Sequence, residues 1–500
     1  VKIRLARFKG AQQALEKKYQ LKGVAPRSYT ESTRKEIQVL AAKCQERVDF
    51  AWTSGTTREP KQIFYPKHRI RNLQWTYVEQ VALIYQHVGI DEPVLYILTN
   101  MSADNSVSNL LAREPLPRSL ANFVLPYSIV YLPEVAKLSE RYSQKTLHLT
   151  LLLLITPVLV AMANPSSLYI ILGDMQKDWE RVRKEILSVL DENWLSDFYN
   201  GTHVLDKGRE TRLRKMLASP QCPSMRDLFP ELRVIYCWHG GYVQPFIENL
   251  ERQLAELKIS FFPMFSMSTE TVAYLIYPRF TLEGGLPLSL GVCYEFLPSG
   301  QDVIEGNLLK PWQLESSKQY SMVVSDNFGL KRYHTEDLFE CAGFKQDTPI
   351  LRFLGRVGLN YSFTGEKITD QQLLHVYENV RQLAKMPDGV FTCFPKRNDG
   401  SIPGYVFVWI TQDSASASIS ADMFDRALMD VNEEYASKRK SERLTKPEIV
   451  ISNYEKIMAK LISSDRRYAD ANPSQFKPLP LYRVFWDTLT TDGKGGGANG

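Results

Sequence analysis

From Lys67 to Phe265 the chain repeatedly sets a short apolar run beside a longer amphipathic one, and this alternation restricts the folds open to it. The short runs are VLYIL from Val94, FVLPYSIVYL from Phe123, SLYIIL from Ser167, LRVIYCW from Leu232 and ISFFPMF from Ile259, each read as a strand. Residues 68–88 and 175–199 instead repeat apolar positions three and four apart among charges, the pattern of a helix with one buried face. Strand alternating with helix predicts an α/β architecture.

The texture changes after about residue 355. TDQQLLHVYENVRQLA predicts a helix, GVFTCFP and GYVFVWIT around NDGSIPG a hairpin, and ADMFDRALMDVNEEYASKRKSE a second helix. Five hundred residues exceed one ordinary core. The expected organisation is a large N-terminal domain of β-sheets and packed helices over 1–358, a smaller α+β domain over 359–488, and a flexible glycine-rich tail over 489–500. No internal repeat is present.

Composition closes off several functions. With 61 basic against 56 acidic residues the net charge is +5, close to neutral for this length, so nucleic acid is not an expected partner. The six cysteines are scattered without a C-x-x-C pair, which argues against a zinc site or a disulfide framework and for a reducing cytoplasm. The run LHLTLLLLITPVLVAMA, Leu147 to Ala163, is short of the ~20 residues a spanning helix needs and contains His148 and Pro157. It predicts a buried helix running into a strand, with no membrane partner. The chain opens VKIRLARFKG, without Met and without an apolar signal core, so a trimmed or processed start is expected. Nothing in the residues sets an oligomeric state.

The chemistry concentrates in FAWTSGTTREPKQIFYP, Phe50 to Pro66. Thr53, Ser54, Thr56 and Thr57 offer hydroxyl donors, Gly55 lets backbone N–H groups approach an anion, and Lys61 supplies a point charge for phosphate. Apolar flanks predict strand, loop, strand. The spacing is not that of a Walker loop, because Pro60 stands at the second glycine and Gln62 follows the lysine. Read alone, such a stretch is also compatible with a solvated turn.

The full string T-S-G-T-T-x-x-P-K resembles the phosphate loop of the acyl-adenylate-forming enzymes. An ordered set of further segments, DLFPELRVIYCWHGG, SMSTE, CYEFLP, GLKRYHTEDL, LRFLGRVGLNYSFTGEKIT, VNEEYASKRKSERLTKPEIV and SQFKPLP, with NPSSLYIIL at Asn164, resembles one branch: the acyl-acid-amido synthetases, the plant auxin- and jasmonate-conjugating family and its bacterial relatives. The resemblance spans roughly residues 45–482. It implies a mobile C-terminal domain, an active site between the domains, use of ATP and Mg²⁺, and joining of a small-molecule carboxylic acid to an amine or amino acid acceptor. An acyl-CoA ligase and a non-catalytic nucleotide- or acyl-binding protein are the competing readings.

The same resemblance implies residue roles. Thr53, Ser54, Gly55, Thr56, Thr57 and Lys61 would grip the β- and γ-phosphates. Glu270 in SMSTE would hold Mg²⁺, with Ser268 and Thr269 beside it at the ATP. Gly240 and Gly241 would flank adenine, an ordinary turn being the alternative. Asp337 would accept the ribose hydroxyls, its neighbour Glu336 standing where relatives more often carry Gly. Lys367 and Lys477 would act from the smaller domain, Lys477 reaching the acyl phosphate. Arg58 and Glu59 depart from the family pattern, and Arg58 is read as solvated. Ser266 occupies a usual aromatic position, with Phe265 as a substitute stacking partner. His239 and His334 are read as scaffold in preference to general bases.

Overall fold

The computed structural model describes residues 2–52, 61–90, 94–98, 141–192, 207–239, 243–279, 281–356, 368–384, 389–396, 402–411, 419–440, 444–464 and 479–482, with a few isolated positions between them. The backbone clusters into two units: Val1–His239 with Leu250–Phe353, and Gly240–Asn249 with Leu354–Gly500.

In the first unit, β1 (Val48–Trp52) and β2 (Gln62–Pro66) pair antiparallel, Trp52 opposite Gln62 and Val48 opposite Pro66. The strand, loop, strand reading of this region therefore holds for its flanks. Pro66 ends β2 and precedes the helix Lys67–Val88, which Gly89 terminates in the left-handed conformation at φ 71°. Strands β3 (Leu95–Ile97), β4 (Ser128–Ile129), β5 (Leu159–Ala161), β6 (Val234–Cys237) and β7 (Ser260–Pro263) form a parallel sheet in the order β4-β3-β5-β6-β7. Near-continuous apolar strands suit this sheet, because helices cover parallel strands. Leu73, Val81 and Ile84 of the long helix pack with Val234, Tyr236 and Phe262 in one buried cluster.

A second sheet follows in sequence: β8 (Ser266–Met267), β9 (Val272–Tyr277), β10 (Thr281–Leu286), β11 (Cys293–Pro298), β12 (Gln319–Ser325), β13 (Tyr333–Lys345) and β14 (Thr348–Arg356), in the order β11-β12-β13-β14-β10-β9-β8. Its core holds Tyr274, Tyr294, Phe296, Met322 and Phe339.

The second unit contains a short pair, β15 (Asn360–Tyr361) with β16 (Ile368–Thr369), and a three-stranded sheet. Strands β17 (Val390–Lys396) and β18 (Gly404–Ile410) are the expected hairpin, paired from Val390–Ile410 to Lys396–Gly404. Strand β19 (Glu448–Ser452) adds in parallel to β18. A parallel addition needs a crossover, and the helices Ala421–Val431 and Glu433–Lys440 supply it. Phe407 stacks on Phe424 at 4.5 Å between ring centres in this unit's core.

Three local expectations are corrected. SLYIIL is not a strand but part of the helix Ser166–Lys177: Pro165 opens it, and Leu168, Ile171, Leu172 and Met175 fall on one buried face. The helix expected over 175–199 is broken at Asp178, whose side chain accepts the Arg181 N–H at 3.2 Å and starts a separate helix, Trp179–Leu190. Asn432 similarly divides the helix expected from Ala421, accepting the Tyr435 N–H at 2.8 Å. The Leu147–Ala163 run is the buried helix Gln144–Ile155 leading into β5, as expected. Among the described residues no helix is long and apolar enough to cross a membrane. The glycine-rich tail lies outside the described residues.

Candidate active site

Lys61 leaves the hydroxyl-rich loop one residue before β2, and its side chain is turned inward. The ammonium donates to Glu270 Oε1 at 3.0 Å and to the Tyr333 hydroxyl at 2.6 Å, while that hydroxyl donates to the same carboxylate oxygen at 3.1 Å. Only 12% of the lysine side chain and 4% of the glutamate side chain are exposed. The Lys61 ammonium also lies 5.3 Å from the Tyr333 ring centre. Burying two charges costs several kcal/mol per ion in the absence of a partner, so this geometry depends on all three groups together.

The turn that carries Glu270 is tied from several directions. It joins β8 to β9, and Ser268 closes it: the Ser268 N–H donates to Thr271 O at 2.9 Å, and Ser268 Oγ accepts the N–H groups of Glu270 and Thr271 at 3.3 and 3.2 Å. The Tyr65 hydroxyl donates to Thr269 O at 2.7 Å. Burial pushes the Tyr65 phenol up to about 12, so it stays a proton donor through the neutral range. Arg69 donates to Glu270 O at 2.7 Å and to Phe64 O at 2.8 Å, and lies 3.7 Å from Asp326 Oδ2. Its guanidinium sits 4.4 and 4.5 Å from the ring centres of Tyr65 and Phe328. Burial holds the Asp326 carboxyl above its ordinary value despite Arg69 and two backbone donors. Met267, Ser268 and Thr271 also wall a largely apolar cavity of about 490 Å³ that Arg69, Leu288 and Phe328 share.

Asp337 lies four residues beyond Tyr333 on β13, where the register breaks. Ser321 pairs with Leu338 but Val323 with His334, so Met322 faces three residues, Thr335 to Asp337. Thr335 Oγ1 stabilises this bulge by donating to Met322 O at 3.0 Å and accepting the Asp337 N–H at 3.1 Å. Glu336 adopts φ 65° there, a left-handed conformation that glycine takes without penalty. Bulges of this kind re-aim side chains, and Asp337 is left half-buried.

Of the sequence-predicted residues, the structure brings Lys61 and Glu270 into contact, puts Ser268 and Thr269 in the turn that holds Glu270, and sets Asp337 on the strand that bears Tyr333. Thr53, Ser54, Gly55, Thr56, Thr57, Arg58, Glu59, Gly240, Gly241, Lys367 and Lys477 lie outside the described residues. Beside two of them the chain is anchored. Glu366 is buried, its carboxylate accepting the Phe363 N–H at 2.8 Å and bonded by the Tyr405 hydroxyl. Leu481 bridges to Cys393 on β17, with the Cys393 N–H donating to Pro480 O at 2.9 Å.

His334 is buried and bonded to Ser321 Oγ at 2.8 Å. His239 follows β6 with Nε2 buried and without a hydrogen-bond partner, and burial lowers its imidazole to about 4. Phe265 is corrected: it is 2% exposed and meets Tyr77 edge-on at 6.2 Å, so its ring serves the core. Tyr333, Tyr65 and Arg69 carry no such signal in the sequence, because each acts through contacts to residues far along the chain that no local spacing marks.

Three family models match the chain: the GH3 family N-terminal domain over residues 38–259, the GH3 family central domain over 286–356 and the GH3 family C-terminal domain over 371–483. The chain belongs to the GH3 family. Curated relatives include indole-3-acetic acid-amido synthetase GH3.4 of Arabidopsis thaliana, 27% identical over 170 residues, which are 32% of this chain and 27% of that protein. Jasmonoyl-L-amino acid synthetase JAR6 of Nicotiana attenuata is 28% identical over 232 residues, 43% of this chain and 38% of that one. The GH3 chain thus spans well under half the length of these curated relatives. Among solved structures, AtGH3.15 acyl acid amido synthetase in complex with 2,4-DB superposes with a TM-score of 0.72 at 16% identity, covering 94% of this chain and 86% of that one. That likeness is one of fold. It extends the GH3 architecture over both units.

Proposed function

We propose that this protein is an ATP-dependent ligase that adenylates a small carboxylic acid and transfers the acyl group to an amine, an amino acid in the simplest case, to form an amide. The observation that carries the reading is the buried contact between Lys61, at the exit of the T-S-G-T-T-x-x-P-K string, and Glu270 of SMSTE. Membership of the GH3 family, whose named relatives are amido synthetases, supports the reaction class.

A free carboxylate does not acylate an amine, because oxide or hydroxide would have to leave. Transfer to AMP at the expense of pyrophosphate supplies a leaving group. Lys61 would neutralise phosphate charge as pyrophosphate departs, and the hydroxyls of Thr53, Ser54, Thr56 and Thr57 with the N–H of Gly55 would hold the same oxygens. Asp337 would accept the vicinal ribose hydroxyls. Gly240 and Gly241 beside adenine, and Lys367 and Lys477 in a second domain over 359–488, are assigned by likeness of motif.

The residues present fit a phosphate-borne magnesium. Among the described residues no group of three or more His, Cys, Asp or Glu forms a protein-built cation cage, whereas one buried carboxylate, Glu270, faces the lysine of the phosphate string. Mg²⁺ ordinarily takes one or two protein carboxylates and completes its shell with phosphate and water. When bound it would offset charge on the phosphates, with Glu270 as its protein ligand. Lys61 and Glu270 are counterions to one another in the free protein, and exchanging each for a phosphate and a cation respectively keeps both charges compensated. A reducing cytoplasm belongs to the same proposal, supported by six free thiols.

The test is a screen of ATP-dependent pyrophosphate release across a panel of carboxylic acids, followed by mass spectrometry of products formed with mixed amino acids and, separately, with coenzyme A. An acyl-amino acid product is expected. An acyl thioester in its place, or no acid-dependent pyrophosphate release, overturns the proposal.

A further inference from the structure

The Lys61–Tyr333–Glu270 contact joins three segments distant in sequence, and a fourth segment spans two of them. Residues 27–29 run beside both the start of β13 and the start of β2. Arg27 forms a parallel bridge to Tyr333: the Arg27 N–H donates to Arg332 O at 2.9 Å, and the His334 N–H donates to Arg27 O at 2.9 Å. Both backbone groups of Arg27 therefore fix the two peptides that flank Tyr333. Two positions on, Tyr29 does the corresponding work with its side chain. Its hydroxyl donates to Gln62 O at 2.8 Å and accepts the Gln62 N–H at 3.1 Å. One phenol thus satisfies both backbone groups of the residue immediately after Lys61. Gln62 is the last pair of the β1–β2 hairpin, opposite Trp52, so the clamp sits where the hydroxyl-rich loop rejoins the sheet.

We infer that Arg27–Tyr29 is a positioning strap for the proposed nucleotide site, with the Tyr29 hydroxyl as its working group. By period-two geometry, positions 27 and 29 of an extended segment share one side. The strap consequently sets the distance between the backbone that bears Lys61 and the backbone that bears Tyr333, and so the place of the ammonium relative to Glu270. The Tyr29 ring packs against both core clusters of the first unit, which gives the hydroxyl a rigid base. Arg27 uses its own side chain elsewhere, in a surface pair with Glu36 at 2.5 Å. Tyr29 acts through Lys61 and is a positioning residue.

This inference rests on the proposed ATP site, and calorimetric titration of ATP with Mg²⁺ into the full chain separates the two. Tyr29→Phe keeps the ring and removes both bonds. It is expected to weaken ATP binding about tenfold, the factor that one or two net hydrogen bonds contribute. The KM for ATP should rise in parallel while that for the acid stays unchanged. Glu36→Ala, which frees the Arg27 side chain and the Ser32 hydroxyl at the surface and leaves the Tyr29 bonds in place, should bind ATP as wild type does. Should Tyr29→Phe not fold, Arg27→Pro deletes the amide bonded to Arg332 and is expected to act in the same direction. Equal ATP affinity in folded Tyr29→Phe and wild type overturns the strap and leaves the ligase reading standing. Equal weakening by Tyr29→Phe and Glu36→Ala overturns it also, as general loosening. Wild-type protein that binds no ATP removes the ligase reading and the strap with it.

Discussion

Lys61 and Glu270 are 209 positions apart in sequence, yet their charged atoms meet at 3.0 Å in an interior where Tyr333 bonds to both. Two motifs that the sequence offers separately, one for phosphate and one for a cation, are thereby a single electrostatic unit. A charge pair so buried resists loss of one member far more than loss of both.

Stability is the first consequence. Lys61→Ala leaves Glu270 as an uncompensated buried carboxylate and should cost ~3 kcal/mol. Glu270→Gln, which keeps hydrogen-bonding capacity, should cost less. Adding Glu270→Gln to Lys61→Ala should recover part of the loss, as a denaturant double-mutant cycle would register. Strict additivity would mean the two charges do not depend on each other.

The turn that presents Glu270 depends on Ser268. Ser268→Ala removes the acceptor for two N–H groups and should cost ~1–2 kcal/mol. Its more diagnostic effect is a raised Mg²⁺ requirement in the pyrophosphate assay, since the carboxylate loses its fixed direction. An unchanged Mg²⁺ titration would place Ser268 outside the positioning of Glu270.

Glu336 pays a conformational penalty in the β13 bulge, at φ 65°. Glu336→Gly should therefore be neutral or stabilising by about 1 kcal/mol, and Glu336→Val clearly destabilising. Thermal unfolding of the two variants gives the order.

His239 makes the first unit acid-sensitive. Its folded value of about 4 lies below the ordinary 6.5, so the unfolded chain takes up the proton first as pH falls. The stability associated with neutral His239 is complete above pH 6.5 and is lost on descent towards pH 4. His239→Asn should flatten the dependence of the unfolding midpoint across that window by on the order of 2 kcal/mol. An identical pH profile would show that the imidazole does not titrate this way.

How much of this was legible follows from where each signal is stored. The hydroxyl-rich string, SMSTE and RYHTEDL are local, because their chemistry needs fixed residue types at fixed spacing. The partnership of Lys61 with Tyr333 is stored in strand register, and a tyrosine inside a quoted motif looks like any β-strand aromatic. The difference at Ser167–Leu172 has another cause: five consecutive apolar residues suit either period, and Pro165 together with the spacing of Leu168, Ile171, Leu172 and Met175 is the deciding evidence. Strand β19 does not stand out in the sequence because Glu448–Ser452 holds only three consecutive apolar residues between polar ends, and only its parallel seat on β18 gives it a role. The helix breaks at Asp178 and Asn432 were readable as side-chain caps placed inside continuous helical periodicity.

Acid-dependent exchange of labelled pyrophosphate into ATP, in wild type against Glu270→Gln and Lys61→Ala, addresses the pairing most directly. The expected result is robust exchange by wild type with a suitable carboxylic acid, and loss of at least a hundredfold in each folded variant, in keeping with the removal of one charge-stabilising group. Exchange that persists at the wild-type rate in both variants would contradict a nucleotide site built on Lys61 and Glu270.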